Sequence, residues 1–241
     1  MLSDLLTKSS PKYSLKLRST GDTVHFRPFL VREEKALLIA LDEDDPSLIM
    51  KSIADIISSC CEGIKNPLEL PIYDVENIFL HIRSKSVGEV ITLNFQDDDT
   101  GEIVTKNINI SDIKLSNEPE KGIFKLNDEV TVHFRYPVLK DFLKSNIDLS
   151  TTEGYYDLIT MCLMKIQTPE QTIDATVYDS QEVKDFLESM NKTQFNKILS
   201  YFTKMPKLRY TVEYKNSADK AKTITLEGMQ DFFGLPSVTL D

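Results

Sequence analysis

The sequence predicts an α+β fold: mixed helices with antiparallel β-hairpins and two strand–proline–helix junctions. Three observations predict it. Alternating apolar and polar residues flank turn-forming clusters at three places, the pattern of half-buried hairpins. Between them, apolar residues recur at helical spacing. A phrase also returns along the chain, as Thr23-Val24-His25-Phe26-Arg27-Pro28 and Thr131-Val132-His133-Phe134-Arg135-Tyr136-Pro137. Each copy is an alternating run, an arginine, a proline and then an apolar-periodic segment. Proline lacks an N–H and disfavours helix in the residue before it, so it ends a strand and opens a helix.

Taken in order, residues 1–10 read as a mobile end or a loose first turn. Tyr13, Leu15 and Leu17 alternate as a strand, Ser19 to Asp22 form a turn, and Val24 to Arg27 form the return strand. The first helix covers Val31 to Leu41 and stops at Asp42-Glu43-Asp44-Asp45. Asp45 before Pro46 is an N-cap with proline at the first helical position, so the acidic run is capping and solvation rather than a metal site. The second helix aligns Leu48, Ile49, Ile53, Ile56, Ile57 and Cys60. Pro67 and Pro71 break the chain, and a third helix runs from Ile72 to Arg83.

Val90 to Phe95 and Glu102 to Ile110 form a hairpin around Asp97-Asp98-Asp99-Thr100-Gly101. The acids echo a calcium loop, but Ile108 stands at the twelfth position, where that loop needs a bidentate Glu. Ile123 to Leu126 and Val130 to Arg135 read as strands, and Val138 to Lys144 as a helix. Ser150-Thr151-Thr152-Glu153 has capping-box spacing, opening a helix whose stripe runs through Tyr155, Leu158, Ile159, Cys162, Leu163 and Ile166. Residues 167–179 are irregular or hold a short strand. Helices follow around Val183 to Met190 and, capped by Asn191 with Gln194, around Phe195 to Phe202. Leu208 to Tyr214 is a strand, Lys215 to Lys222 a charged turn, and Ile224 and Leu226 lie on the return strand. Gly228 to Pro236 is a short helix with a glycine stop and a proline behind it, and Ser237 to Asp241 are a tail. The chain thus reads as an N-terminal α+β region, 1–136, with an inserted hairpin near 88–111, then a mainly helical region, 137–241, closing with a hairpin and a short helix. A single domain holds the same elements equally well.

Composition narrows the function. A net charge of −10, with basic residues scattered among acids, argues against binding nucleic-acid backbones and anionic membranes. No run approaches the roughly 18 apolar residues of a spanning helix. The N-terminus has no signal-peptide core, and three cysteines, two of them adjacent, imply no disulfide framework. A reducing cytoplasm is the simplest compartment. The three histidines, His25, His81 and His133, form no metal-binding spacing, and no phosphate-cradling glycine loop or nucleophile elbow is present. The expectation is therefore no enzyme, no cofactor and no metal. The alternative is an enzyme whose site forms only in three dimensions, around His25, His133 and nearby acids. Arg27 and Arg135 precede prolines in matching places, where arginine either anchors a carboxylate or carbonyl inside the fold or contacts a partner.

Three segments carry a resemblance: Leu17-Arg18-Ser19-Thr20-Gly21, Phe26 to Lys35, and Asp74 to Glu89. In order and spacing they resemble the baseplate protein family of T4-type contractile-tailed bacteriophages, which includes a baseplate hub subunit and a hub assembly factor. Arg18 departs from the pattern, standing where the family's turn is expected to begin with proline. The resemblance implies work by protein–protein binding, as a hub subunit or as a chaperone-like factor that leaves before the particle is finished. It implies other hub or tape-measure proteins as partners, and a location in the host cytoplasm during assembly or in the virion tail baseplate. Arg27, Phe29 and Arg83, in or near these segments, and the terminal aromatics Phe232 and Phe233 are the candidate partner-binding residues.

Overall fold

The computed structural model describes residues 10–43, 45–144 and 151–233. The chain is α+β, with eight α-helices and twelve strands among the described residues, every strand pairing antiparallel. It groups into two units that interleave along the sequence. One contains 10–67, 73–116 and 207–233, the other 68–72 and 117–206.

In the first unit, β1 (Tyr13–Lys16) and β2 (Thr23–Phe26) form the predicted hairpin, with Tyr13 opposite Phe26. Helices α1 (Val31–Asp42) and α2 (Pro46–Cys60) follow. Asp45 caps α2 by accepting from the N–H groups of Ser47, at 2.8 Å, and Leu48, at 3.4 Å. The helix runs straight into β3 (Cys61–Glu62), which pairs with β2. Helix α3 (Ile72–Ser86) buries Val75, Ile78, Leu80 and Ile82, and Ile53 and Ile57 of α2 are equally buried. Its Asp74, also buried, accepts from the backbone N–H groups of Arg18, at 2.9 Å, and Ser19, at 3.1 Å. Proline at position 18 would lack the first of those donors, so Arg18 supplies a bond that holds the turn on α3.

The hairpin of β4 (Val90–Gln96) and β5 (Ile103–Asn109) turns through Gly101, at φ +71°. Asp97 is the hub of that turn. It accepts from the Thr100 N–H at 2.9 Å and from the hydroxyl of Tyr214 at 2.7 Å. β6 (Lys114–Leu115) closes this stretch.

The second unit opens with β7 (Ile123–Lys125), β8 (Thr131–Phe134) and α4 (Leu139–Lys144). Helix α5 (Thr152–Cys162) starts one residue later than the expected capping box implies. Thr151 is the N-cap and accepts from the Gly154 N–H at 3.1 Å, while Ser150 lies outside the described residues. The expected helical stripe through Leu163 and Ile166 is overturned. The helix ends at Cys162, and β9 (Leu163–Gln167) pairs with β8 on one side and β10 (Thr172–Asp174) on the other. Two ladders of tertiary hydrogen bonds override a three-residue apolar spacing that fits a helix equally well. α6 (Ser180–Glu188) and α7 (Lys192–Thr203) complete the unit, α7 with the expected Asn191–Gln194 capping box. Its core is aromatic. Tyr136 stacks on Tyr201 at 4.1 Å, and Phe134 meets Phe202 edge-on at 5.8 Å.

The chain then returns to the first unit. β11 (Leu208–Lys215) pairs with both β6 and β12 (Ala221–Glu227), so the return strand begins inside the stretch expected as a charged turn. α8 (Gly228–Phe233) ends the description. Residues 1–9 of the end expected to be mobile over 1–10, the glycine stop at Gly234, Pro236 and the tail lie outside the described residues.

Candidate functional site

The two proline corners are one device built twice. In the first, the Arg27 guanidinium donates to the Pro28 carbonyl at 2.8 Å, to Glu33 Oε1 at 3.0 Å and to the Ser59 carbonyl at 3.1 Å, and its backbone N–H donates to the Cys60 carbonyl at 3.0 Å. In the second, Arg135 donates to the Tyr136 carbonyl at 3.1 Å, to both carboxylate oxygens of Asp141 at 2.6 and 3.0 Å and to the Met161 carbonyl at 3.1 Å, and its N–H donates to the Cys162 carbonyl at 3.0 Å. In each copy the acid also reaches back to a free N–H at the start of the helix. Glu33 accepts from Leu30 at 2.5 Å and Asp141 from Val138 at 2.9 Å. One carboxylate thus caps a helix and neutralises the arginine that pins the end of the next helix. Burial opposes ionisation of Glu33, but Arg27 and the Leu30 N–H outweigh it and hold its carboxyl below the ordinary value. The cysteines closing the second helix of each copy are buried, and desolvation pushes the Cys60 thiol up to about 11 and the Cys162 thiol higher still. They are packing groups rather than nucleophiles. Both arginines therefore anchor their own fold. The Arg–acid pairing was written in the sequence, where an acid follows each arginine at the same six-residue interval.

A second constellation lies wholly in the first unit. It is a groove of about 490 Å³ that brings together three of the candidate residues, Phe29, Arg83 and Phe232. The Phe29 N–H donates to the Ser86 hydroxyl at 2.9 Å, fixing that ring's backbone against the end of α3. α1 contributes Glu34, Leu37, Leu38 and Leu41, α3 contributes Phe79 beside Arg83, and Val87 follows directly after α3. Residues 91–94 of β4 and Asp231 of α8 complete the lining. Burial pushes the Arg83 guanidinium down, opposed by the charge of Glu34. Arg27 is not part of this lining, and the side chain of Phe233 lies outside the described residues.

α8 is set in place by a buried acid. Glu76 of α3 accepts from the backbone N–H groups of Met229 and Leu208; desolvation dominates and raises its carboxyl to about 7, with Lys207 pulling the other way. Neither Glu76 nor the α1 stripe was singled out in the sequence. The stripe had a signal, in its i, i+3, i+4, i+7 spacing. Glu76 had none, because its donors lie more than a hundred residues away.

The histidines of the enzymatic alternative belong to different units. His25 is exposed on β2, and His133 is half-buried on β8 with its Nε2 3.3 Å from Gln167 Oε1. Among the described residues, no group of three or more His, Cys, Asp or Glu is arranged to hold a metal ion, and no helix is long and apolar enough to cross a membrane.

No curated relative and no solved structure matches the chain. The family model described as T4 bacteriophage base plate protein matches residues 10–234, a span that holds both proline corners and the groove. The chain therefore belongs to the T4 bacteriophage base plate protein family.

Proposed function

We propose that this base plate protein acts in assembly of the hub by binding other phage proteins, as a chaperone-like factor that departs before the particle is complete, and that it catalyses no chemical step. The family match over residues 10–234 carries this reading. The partners are other hub or tape-measure proteins, met in the host cytoplasm. A groove with an apolar floor and charged rims suits transient capture of a protein segment, and the net charge of −10 suits a protein that stays soluble and resists self-association while its partners assemble. The second reading, a permanent hub subunit, uses the same surfaces and differs only in fate.

Infection with a phage deleted for this gene tests the role. The expected result is loss of complete hubs, restored by supplying the protein in trans; normal tails from the deleted phage would end the hub reading. Mass spectrometry of purified virions separates the two fates, since a departing factor is absent and a subunit is present.

A further inference from the structure

The groove has the dimensions of a seat for a helix. Along one wall, Glu34, Leu37, Leu38 and Leu41 follow the i, i+3, i+4, i+7 stripe of α1 over about 10 Å. Along another, Phe79 and Arg83 of α3 are followed by Val87, the residue after its end, whose N–H donates to the Arg83 carbonyl at 2.9 Å; the three span about 12 Å. Two turns of an α-helix occupy about 11 Å. The floor is buried apolar surface, from Leu37, Phe79 and Phe232, whereas Leu38 at 53% exposure and Val87 at 57% stand open at the lip. Large apolar side chains exposed around a concave apolar floor are the signature of helix-in-groove recognition.

The charge around the groove selects the kind of helix. Glu34 and Asp231 line it, and Asp42 and Glu43 follow Leu41. There the C-terminal end of α1 adds its negative dipole, with no basic residue in its last turn. Against these acids Arg83 is the one cation of the lining among the described residues. A second copy of this chain would set acidic rim against acidic rim on a molecule of net charge −10. Residues 234–241, Gly-Leu-Pro-Ser-Val-Thr-Leu-Asp, carry no basic residue to answer the rim.

We propose that the groove binds an amphipathic α-helix of a partner protein, with apolar residues at i, i+3 or i+4, and i+7 facing down and Lys or Arg flanking them. This names the partner chemistry for the binding role proposed above and rests on that reading.

The probe is a fluorescein-labelled helical peptide of about 14 residues, with Leu at those positions and Lys beside them, set against a twin with Glu for every Lys. Fluorescence anisotropy with the full chain at low salt should show the basic peptide binding at least about tenfold tighter than the acidic twin. Leu38→Asp, at an exposed position, should keep the wild-type melting curve and lose about tenfold in affinity. Glu34→Lys should narrow or reverse the preference between the twins. Ile103→Asp, on β5 at 74% exposure and outside the lining, should change nothing. Equal binding of the twins, or a folded Leu38→Asp that binds as the wild type does, overturns the proposal. So does a wild-type dimer that Leu38→Asp dissolves in sedimentation, which would assign the groove to a second copy. Peptide binding that emerges only when residues 234–241 are removed also overturns it, by giving the groove to the chain's own end. The hub assay is read separately: absent peptide binding with defective hubs in the deleted phage removes only the helix proposal, and specific peptide binding with normal tails removes only the hub reading.

Discussion

Arg27 and Arg135 are each surrounded by oxygen: a carbonyl beside them in sequence, a carbonyl at a helix end and a carboxylate six residues on. Removing the buried carboxylate leaves a half-buried guanidinium without its counter-charge, and leaves a helix-start N–H without an acceptor. Glu33→Ala and Asp141→Ala should each cost about 2 kcal/mol in urea denaturation, less than a fully buried pair because each guanidinium is partly solvated. Replacing Arg135 and Asp141 together by Met and Leu should cost far less, since no lone charge remains. Glu33 also has a pH signature. Its folded pKa is depressed, so its contribution is present above the ordinary carboxylate pKa and is lost as pH falls through the folded value. Glu76 has the opposite sign. Its pKa rises from 4.5 to about 7, so its favourable contribution is complete below 4.5 and disappears as pH climbs to 7. Between pH 5 and 8 the wild type should lose up to about 3 kcal/mol that Glu76→Gln retains. Parallel stability curves for the two proteins would show that another group governs this range.

Elements carry the next constraint, in how closely backbones approach. Gly122 precedes β7, and its carbonyl accepts from the Phe134 N–H at 2.6 Å. A Cβ at that position would stand 2.3 Å from the Phe134 carbonyl oxygen and 2.9 Å from the Tyr201 hydroxyl. Gly122→Ala must therefore push β7 away from β8, beside the stacked Tyr136–Tyr201 pair. It should destabilise by roughly 2 kcal/mol, read as a drop in urea midpoint, with near-ultraviolet circular dichroism showing loosened tyrosine packing. Most elements were legible because their signals are local. The two Pro corners, the Asp45 cap, the Asn191–Gln194 box and the Asp97–Gly101 turn are each decided within a few residues. β3 and β9 were not, because each begins at the residue after a helix, without Gly or Pro to mark the change. In both copies a cysteine closes the helix and the next residue opens the strand, a signal that only aligning the repeats around Cys60 and Cys162 would have revealed. The groove was half legible. Phe29, Arg83 and Phe232 were named separately, but nothing local says that α8 comes to lie beside α1 and α3.

For the whole molecule, the order of the chain and the order of the fold diverge. A split near residue 136 treats the sequence as two consecutive blocks, whereas β11 and β12 return to the first unit. Residues 1–136 alone would deprive β6 of β11, Glu76 of the N–H donors of Leu208 and Met229, and Asp97 of Tyr214. That fragment should show no cooperative melting transition. The first unit instead closes on itself where the second departs. The Ser116 N–H donates to the Lys207 carbonyl at 2.8 Å, and the Lys207 N–H to the Ser116 hydroxyl at 3.2 Å. A short Gly-Ser linker spans so small a gap without strain. A chain with residues 117–206 replaced by such a linker should melt cooperatively. It should also keep the Tyr214 hydroxyl, which its hydrogen bond to Asp97 lifts to about 12, above the other tyrosines in an ultraviolet pH titration compared with Tyr214→Phe. If residues 1–136 fold cooperatively and the linked chain does not, the hydrogen bonds from β11 and α8 are accessory, and the N-terminal half closes its core without them.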